Sequence, residues 1–282
     1  MIRLAVRVAR DDAPAALAEL LTFSPAGVEE RDGADDTVEY VLYGAAGELP
    51  SLPTLQASVG DALVEVSTSE IADDWATRWR SFHRPIEIAG SLYVRPPWHD
   101  PAPVDRELID IVIDPGQAFG TGSHATTRLC LELLVELARA GEASGAALDL
   151  GAGSGVLAIA AAKLGFAPVL ALDHEEESVL AGRENAQVNG VAIDVERADL
   201  TRDELPSAPV ILANLLRPLL LTLAERMREP PRLLIASGLL IEQADEIADA
   251  FRARHGLRER ARREQGEWSA LLLEGAGARA YP

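Results

Sequence analysis

From residue 124 onward the chain alternates short apolar runs with amphipathic stretches, and this alternation constrains the fold more than any other feature. Runs at Ala146–Leu150, Val169–Leu172, 192–196, Val210–Ala213 and Leu233–Ala236 read as strands bounded by turn residues. Between them, 125–140, 155–164, 175–189, 216–227 and 240–254 carry apolar residues at helical spacing. A helix between two strands returns the chain to the same end of the sheet, so successive strands run parallel with helices packed on both faces. Two consecutive strands near 257–263 and 268–273 require a closing hairpin with one antiparallel member. The expected fold is α/β, a doubly wound seven-stranded Rossmann-like sheet.

The first seventy residues follow a different pattern. A strand at Ile2–Val8, a helix at Ala13–Leu21, and strands at Gly27–Arg31, Thr37–Tyr43 and Ala62–Ser67 give a β-α-β-β start, with room for a second helix before the last strand. This predicts a small α+β ferredoxin-like domain over 1–69. Trp75, Trp79 and Phe82 then recur on one helical face, which reads as a packing seam in a helical connector over 70–89. Strands at Ser91–Arg95 and Leu108–Ile113 follow a proline-rich entry, and 90–282 forms the large domain. Two domains agree with a length of 282 residues.

Composition narrows the function classes. With 48% apolar and 25% charged residues the chain has ample material for a core. A formal charge of −19 speaks against tight gripping of nucleic-acid phosphates and favours encounter with a basic partner. One cysteine, Cys130, leaves neither an intramolecular disulfide nor a thiolate metal cluster, and no metal site is expected. The absence of a long apolar window and of a signal-type N-terminus points to the cytoplasm, away from membranes.

Three segments carry chemistry. In LDLGAGSG (148–155) a strand runs into a glycine turn that opens a helix, where backbone amides approach a ligand closely. Glycines at 151, 153 and 155, with Val156 where a dinucleotide fingerprint has glycine, point to a nucleoside without a pyrophosphate. Asp173, at the end of the next strand, is placed to accept hydrogen bonds from both ribose hydroxyls, although it is equally placed to cap the following helix. Asp199 is either an acceptor for an adenine amino group or an ordinary turn residue. The second segment, DPGQAFGTGSHATT (114–127), is dense in glycine and hydroxyls before a helix that Ser123 or Thr126 could cap. The third is Asn214 in ANLL (213–216), at the strand edge where ligands sit in open α/β sheets, or alternatively a helix cap. His124 at a helix start and Cys130 among leucines read as structural residues.

These motifs, in this order and together with Trp75, Trp79 and Phe82, resemble the PrmA family, S-adenosylmethionine-dependent methyltransferases of ribosomal protein L11. The resemblance covers about residues 70 to 275. It implies a class I methyltransferase domain in which Thr127, Gly151, Gly153, Asp173 and Asn214 contact S-adenosylmethionine, with Asp199 as a weaker candidate. It further implies that Asn214 positions the cofactor or the acceptor amine, and that 1–69 recognises the basic ribosomal protein L11. Two departures from the family pattern are Ala125 in place of proline and Arg217-Pro218-Leu219 after Asn214. Lysine methylation of another protein, such as the electron-transfer flavoprotein β subunit, and a non-catalytic nucleoside-binding scaffold are the competing readings. Only the first-named function gives the N-terminal domain a task.

Overall fold

The structure, a computed structural model, describes residues 2–13, 16, 17, 20, 28–33, 36–44, 50, 55, 63–70, 83–115 and 124–275. The chain divides into two compact units, Met1–Phe82 and His83–Pro282. Of the helical connector expected over 70–89, residues 71–82 lie outside the described residues, while Glu70 and Ile86–Ile88 are strand; the proposed second helix before residue 62, apart from Leu55, and 116–123 of the second glycine motif also lie outside them.

In the first unit, strands β1 (Ile2–Ala9), β2 (Glu29–Asp32), β3 (Thr37–Gly44) and β4 (Leu63–Glu70) form an antiparallel sheet of order β2-β3-β1-β4. That order is the one a split β-α-β arrangement produces, since each crossover skips one strand position. Leu4, Val6, Val8, Val38, Tyr40 and Leu42 alternate along β1 and β3 and are buried on one face. They pack against the helical residues Ala13, Ala16 and Leu20 and against Leu55, while the Tyr40 hydroxyl donates to the Ala13 carbonyl at 3.0 Å. The buried phenol thereby keeps a partner for its polar end.

The second unit opens with β5 (Ile86–Ile88), β6 (Leu92–Arg95) and β7 (Ile109–Val112), a three-stranded sheet in which β5 runs antiparallel and β7 parallel to β6. The three-residue β5, just after Pro85, is too short to leave a periodic signal in the sequence.

The seven-stranded sheet follows: β8 (Ala147–Leu150), β9 (Val169–Asp173), β10 (Asp194–Arg197), β11 (Val210–Asn214), β12 (Leu233–Leu240), β13 (Arg258–Gln265) and β14 (Trp268–Glu274). Its order is β10-β9-β8-β11-β12-β14-β13, parallel except where β14 pairs antiparallel with both β12 and β13. Helices α1 (Ala125–Arg139), α2 (Val156–Leu164), α3 (Glu176–Asn189), α4 (Arg217–Arg226) and α5 (Ala244–His255) connect or flank the strands. Alternate strand residues sort into two cores. Ala147, Val210, Leu212, Leu233, Ile235 and Leu272 pack with α1 and α2, whereas Leu148, Leu150, Ile211, Ala213, Leu234 and Leu271 pack with α4 and α5. The one sizeable boundary difference lies in β12, which continues past Ala236 to Leu240 through a register shift at 236–239. Strand order reverses at β8, so β9 and β11 diverge on either side of it and open a crevice at their carboxyl ends.

Candidate active site

The glycine turn after β8 is pinned to β9 by its own backbone. Gly151, at φ +71°, and Ala152 donate to the Leu172 carbonyl at 2.8 and 3.1 Å, and Gly153 donates to the Asp173 Oδ2 at 2.9 Å. A side chain at Gly151 would be strained at that φ and would overlap the Leu215 side chain. Asp173 is buried, and its Oδ1 accepts from the Glu175 amide at 3.0 Å, next to α3. The α3 N-cap residue, Glu175, supplies no side-chain cap, so Asp173 does serve the start of that helix. A carboxylate has about four acceptor positions, and two backbone amides leave room for hydroxyl donors. The cap role and a ribose role are therefore compatible.

Asp173 and Gly151 line a cleft of about 190 Å³ together with His174, Asp199, Leu200 and Leu215. Its lining combines leucines with two carboxylates, which suits a nucleoside with a flat base and a hydroxylated sugar. Asp199 reaches this cleft, but its Oδ1 accepts from the Thr201 amide at 2.8 Å and the Thr201 hydroxyl at 2.6 Å. These bonds hold its carboxyl below the ordinary carboxylate range and make it the pivot of the 199–203 turn.

Asn214 ends β11, and its Nδ2 donates to the Thr127 hydroxyl at 3.2 Å. Thr127 is buried in the first turn of α1, so helix and strand meet through this bond beside the cleft. With Nδ2 donating to Thr127, Oδ1 is the Asn214 atom suited to meet an incoming donor. The cap of α4 is Leu216, with no side-chain bond, so Asn214 does not cap that helix. Likewise α1 is capped by His124, whose Nδ1 accepts from the Thr126 amide at 3.4 Å, in place of the expected Thr126; Ser123 lies outside the described residues. The His124 ring also meets Trp268 edge to face at 4.9 Å.

Asp149 and Asn185 went unrecognised in the sequence. Asp149 shares the α1-facing side of β8 with Ala147, and its Oδ2 accepts from the Ala158 amide at 3.1 Å. It thus supplies to α2 the cap that Gly155 lacks. Burial, reinforced by Asp173, pushes its pKa up to about 7, and its Oδ1 has no partner among the described residues. A lone Asp between leucines in a buried strand was the available signal. Asn185, buried in α3, donates to the Ser154 carbonyl at 2.9 Å and accepts from the Asp114 amide at 3.0 Å, tying the glycine turn to the end of the small sheet. Nothing in the sequence around Asn185 marks that task. Cys130 is fully buried, and desolvation raises its thiol to about 12, which removes it as a nucleophile.

Comparison with known proteins identifies the family. Residues 40–275 match the family model of ribosomal protein L11 methyltransferase, PrmA. The ribosomal protein L11 methyltransferase of Geobacter metallireducens is 40% identical over 206 residues, 72% of this chain and 66% of that protein, just under two thirds of its length. The enzyme of that name from Geobacter sulfurreducens is 36% identical over 269 residues, 91% of this chain and 87% of its own. A crystal structure of ribosomal protein L11 methylase from Lactobacillus delbrueckii subsp. bulgaricus superposes with a TM-score of 0.60 at 34% identity, covering 68% of this chain and 99% of that one. The family-model match over residues 40–275, with relatives 36–40% identical, makes the chain a member of the PrmA family of S-adenosylmethionine-dependent methyltransferases.

Proposed function

We propose that this chain transfers methyl groups from S-adenosylmethionine to lysine ε-amines and/or the N-terminal α-amine of ribosomal protein L11. The observation that carries the reading is the Thr127–Asn214 hydrogen bond standing at the carboxyl edge of the sheet beside the Asp173 cleft. Leucine walls and a carboxylate fit an adenosine, and the glycine turn brings backbone close to it. S-adenosylmethionine, when bound, supplies an electrophilic methyl group on a sulfonium.

Every remaining task falls to the chain's own residues. Asp173 would hold the ribose hydroxyls as their acceptor, and the backbone of the Gly151–Gly153 turn would hold the sugar. Asn214, oriented by Thr127, accepts from the acceptor amine and aims its lone pair along the line of displacement. A lysine must first lose a proton, and an ordinary pKa of about 10.4 sets that cost at about 4 kcal/mol near neutral pH. Desolvation of the acceptor amine at the site lowers the cost by disfavouring the charged form.

Residues 1–69 are assigned to recognition of the substrate protein, and the charge of −19 attracts a basic one while disfavouring direct nucleic-acid binding. The setting is the cytoplasm; among the described residues no helix is long and apolar enough to cross a membrane. The test is transfer of radiolabelled methyl from S-adenosylmethionine to purified bacterial L11. Label is expected on L11, reduced at least tenfold with Asn214→Ala or with Asp173→Ala at limiting cofactor. Cofactor binding by calorimetry without any transfer would reduce the chain to a nucleoside-binding scaffold, and label on other proteins but not on L11 would move the substrate.

A further inference from the structure

β12 does not run straight past the site. Its pairing with β14 shifts register between Ala236 and Leu239, and the two residues inside the shift, Ser237 and Gly238, lie directly beside the chain leaving β11. Asn214 pairs with Ser237, and the Leu215 amide donates to the Ser237 carbonyl at 3.0 Å. Gly238 has φ +83°, and a Cβ there would overlap the Leu215 carbonyl oxygen, stand 2.7 Å from its carbonyl carbon and 3.1 Å from its amide nitrogen. All three are backbone atoms of the residue next to Asn214, so no side-chain rotation relieves the overlap. On the other side Ser237, fully buried, donates its Oγ to the Ser269 carbonyl of β14 at 2.9 Å, anchoring the bulge to the neighbouring strand.

We infer that the Ser237–Gly238 bulge is a positioning device for the reaction: it sets the height of the Asn214–Leu215 peptide and thereby holds the Asn214 amide against Thr127. Bulges re-aim side chains beside functional sites by disrupting the ladder locally, and here the re-aimed group belongs to the adjacent strand. Gly238 is required because only a residue without Cβ lets the two backbones come this close at a positive φ. Neither Ser237 nor Gly238 lines the Asp173 cleft; each acts through Asn214. As a catalytic device, the bulge rests on the reading of Asn214 as the acceptor-side residue.

The experiment is a double-mutant cycle with turnover on L11 at saturating S-adenosylmethionine, together with the side-chain amide resonance of Asn214, identified by its loss in Asn214→Ala. Gly238→Ala is expected to lower turnover at least tenfold alone, to add less than a threefold loss in the Asn214→Ala background, and to shift the Asn214 amide resonance. Multiplicative losses, wild-type turnover, or an unmoved resonance would overturn the inference. Should Gly238→Ala not fold, Ser237→Ala releases the anchor without adding an atom. It is expected to move the same resonance and lower turnover about threefold, whereas an unmoved resonance with full turnover overturns the proposal. Full turnover in Asn214→Ala alone would instead sink the reading of Asn214, and the resonance would still decide whether the bulge positions that side chain.

Discussion

On the β8–β9 side of the crevice, the parts of the site are near neighbours in the chain: Gly153 and Asp173, joined by a hydrogen bond, are 20 residues apart. On the β11–β12 side, Thr127 and Asn214 are 87 residues apart, and the bulge that seats Asn214 comes from yet another strand. The first side is a local turn, held by backbone amides that donate to the Leu172 carbonyl and to the carboxylate of Asp173. The second is assembled by the packing of α1 against β11, β12, β13 and β14, so its geometry is only as good as the core beneath it. The proposed nucleoside cleft is thus specified locally, whereas Asn214, the residue proposed to orient the acceptor, depends on packing between distant segments.

The largest expected effect breaks the local side. Asp173→Ala removes the acceptor for two backbone amides and for the ribose hydroxyls, each charge-assisted bond being worth about 1.5–3 kcal/mol. S-adenosylmethionine affinity measured by calorimetry should fall about a hundredfold or more, with the circular dichroism of the sheet retained. Unchanged affinity would leave Asp173 with the helix-start role alone.

Next in size is the buried carboxyl beneath the turn. Asp149 has a raised pKa, so the folded state holds its proton more tightly than the unfolded chain does, and its stabilising contribution is full below about pH 4 and lost as pH rises through about 7. Asp149→Asn keeps an acceptor for the Ala158 amide and cannot ionise. The melting temperature of the variant relative to wild type should therefore climb between pH 4 and 8, by the equivalent of a few kcal/mol at most. A constant difference across that window would show that Asp149 is not held protonated in the fold.

The long-range side is sharpened by Asn214→Ala, for which turnover at saturating cofactor should drop at least tenfold, about 1.4 kcal/mol, while the melting temperature scarcely moves because Asn214 caps no helix. Asn214→Asp keeps an acceptor oxygen and the fold but sets a charge beside the sulfonium, so activity should change with stability retained. An early-melting variant with full turnover would restore a purely structural role.

The smallest effect is expected at Arg217, the departure from the family pattern just beyond Asn214. Its guanidinium forks onto Glu246 of α5 at 2.5 Å through both nitrogens, with both side chains more than a third exposed. Solvent screening leaves an exposed pair of this kind little weight in stability. Arg217→Ala should leave turnover within twofold, and a tenfold loss would place Arg217 on the substrate instead.

Sequence alone determined the class of this protein: strand and helix periods differ, and their alternation from Ala146 to Glu274 leaves a doubly wound sheet with a closing hairpin as the consistent solution. It also exposed the glycine turn and Asp173, since a run of glycines after a strand and an acid at the next strand end are read along one stretch of chain. It could not reveal which oxygen of Asp173 faces Gly153, that His124 rather than Thr126 caps α1, or that Asp149 is a buried acid. Nor did it separate the cap from the site at Asn214. The structure gives the cap position to Leu216 and sets Asn214 against Thr127, which the packing of α1 brings across, beside a bulge in β12 that shows in the sequence only as a Ser-Gly inside an apolar run. Tertiary structure decided these points because a side chain's role depends on which backbone and which partners approach within about 3 Å, and those approaches are set by packing between segments far apart in the chain.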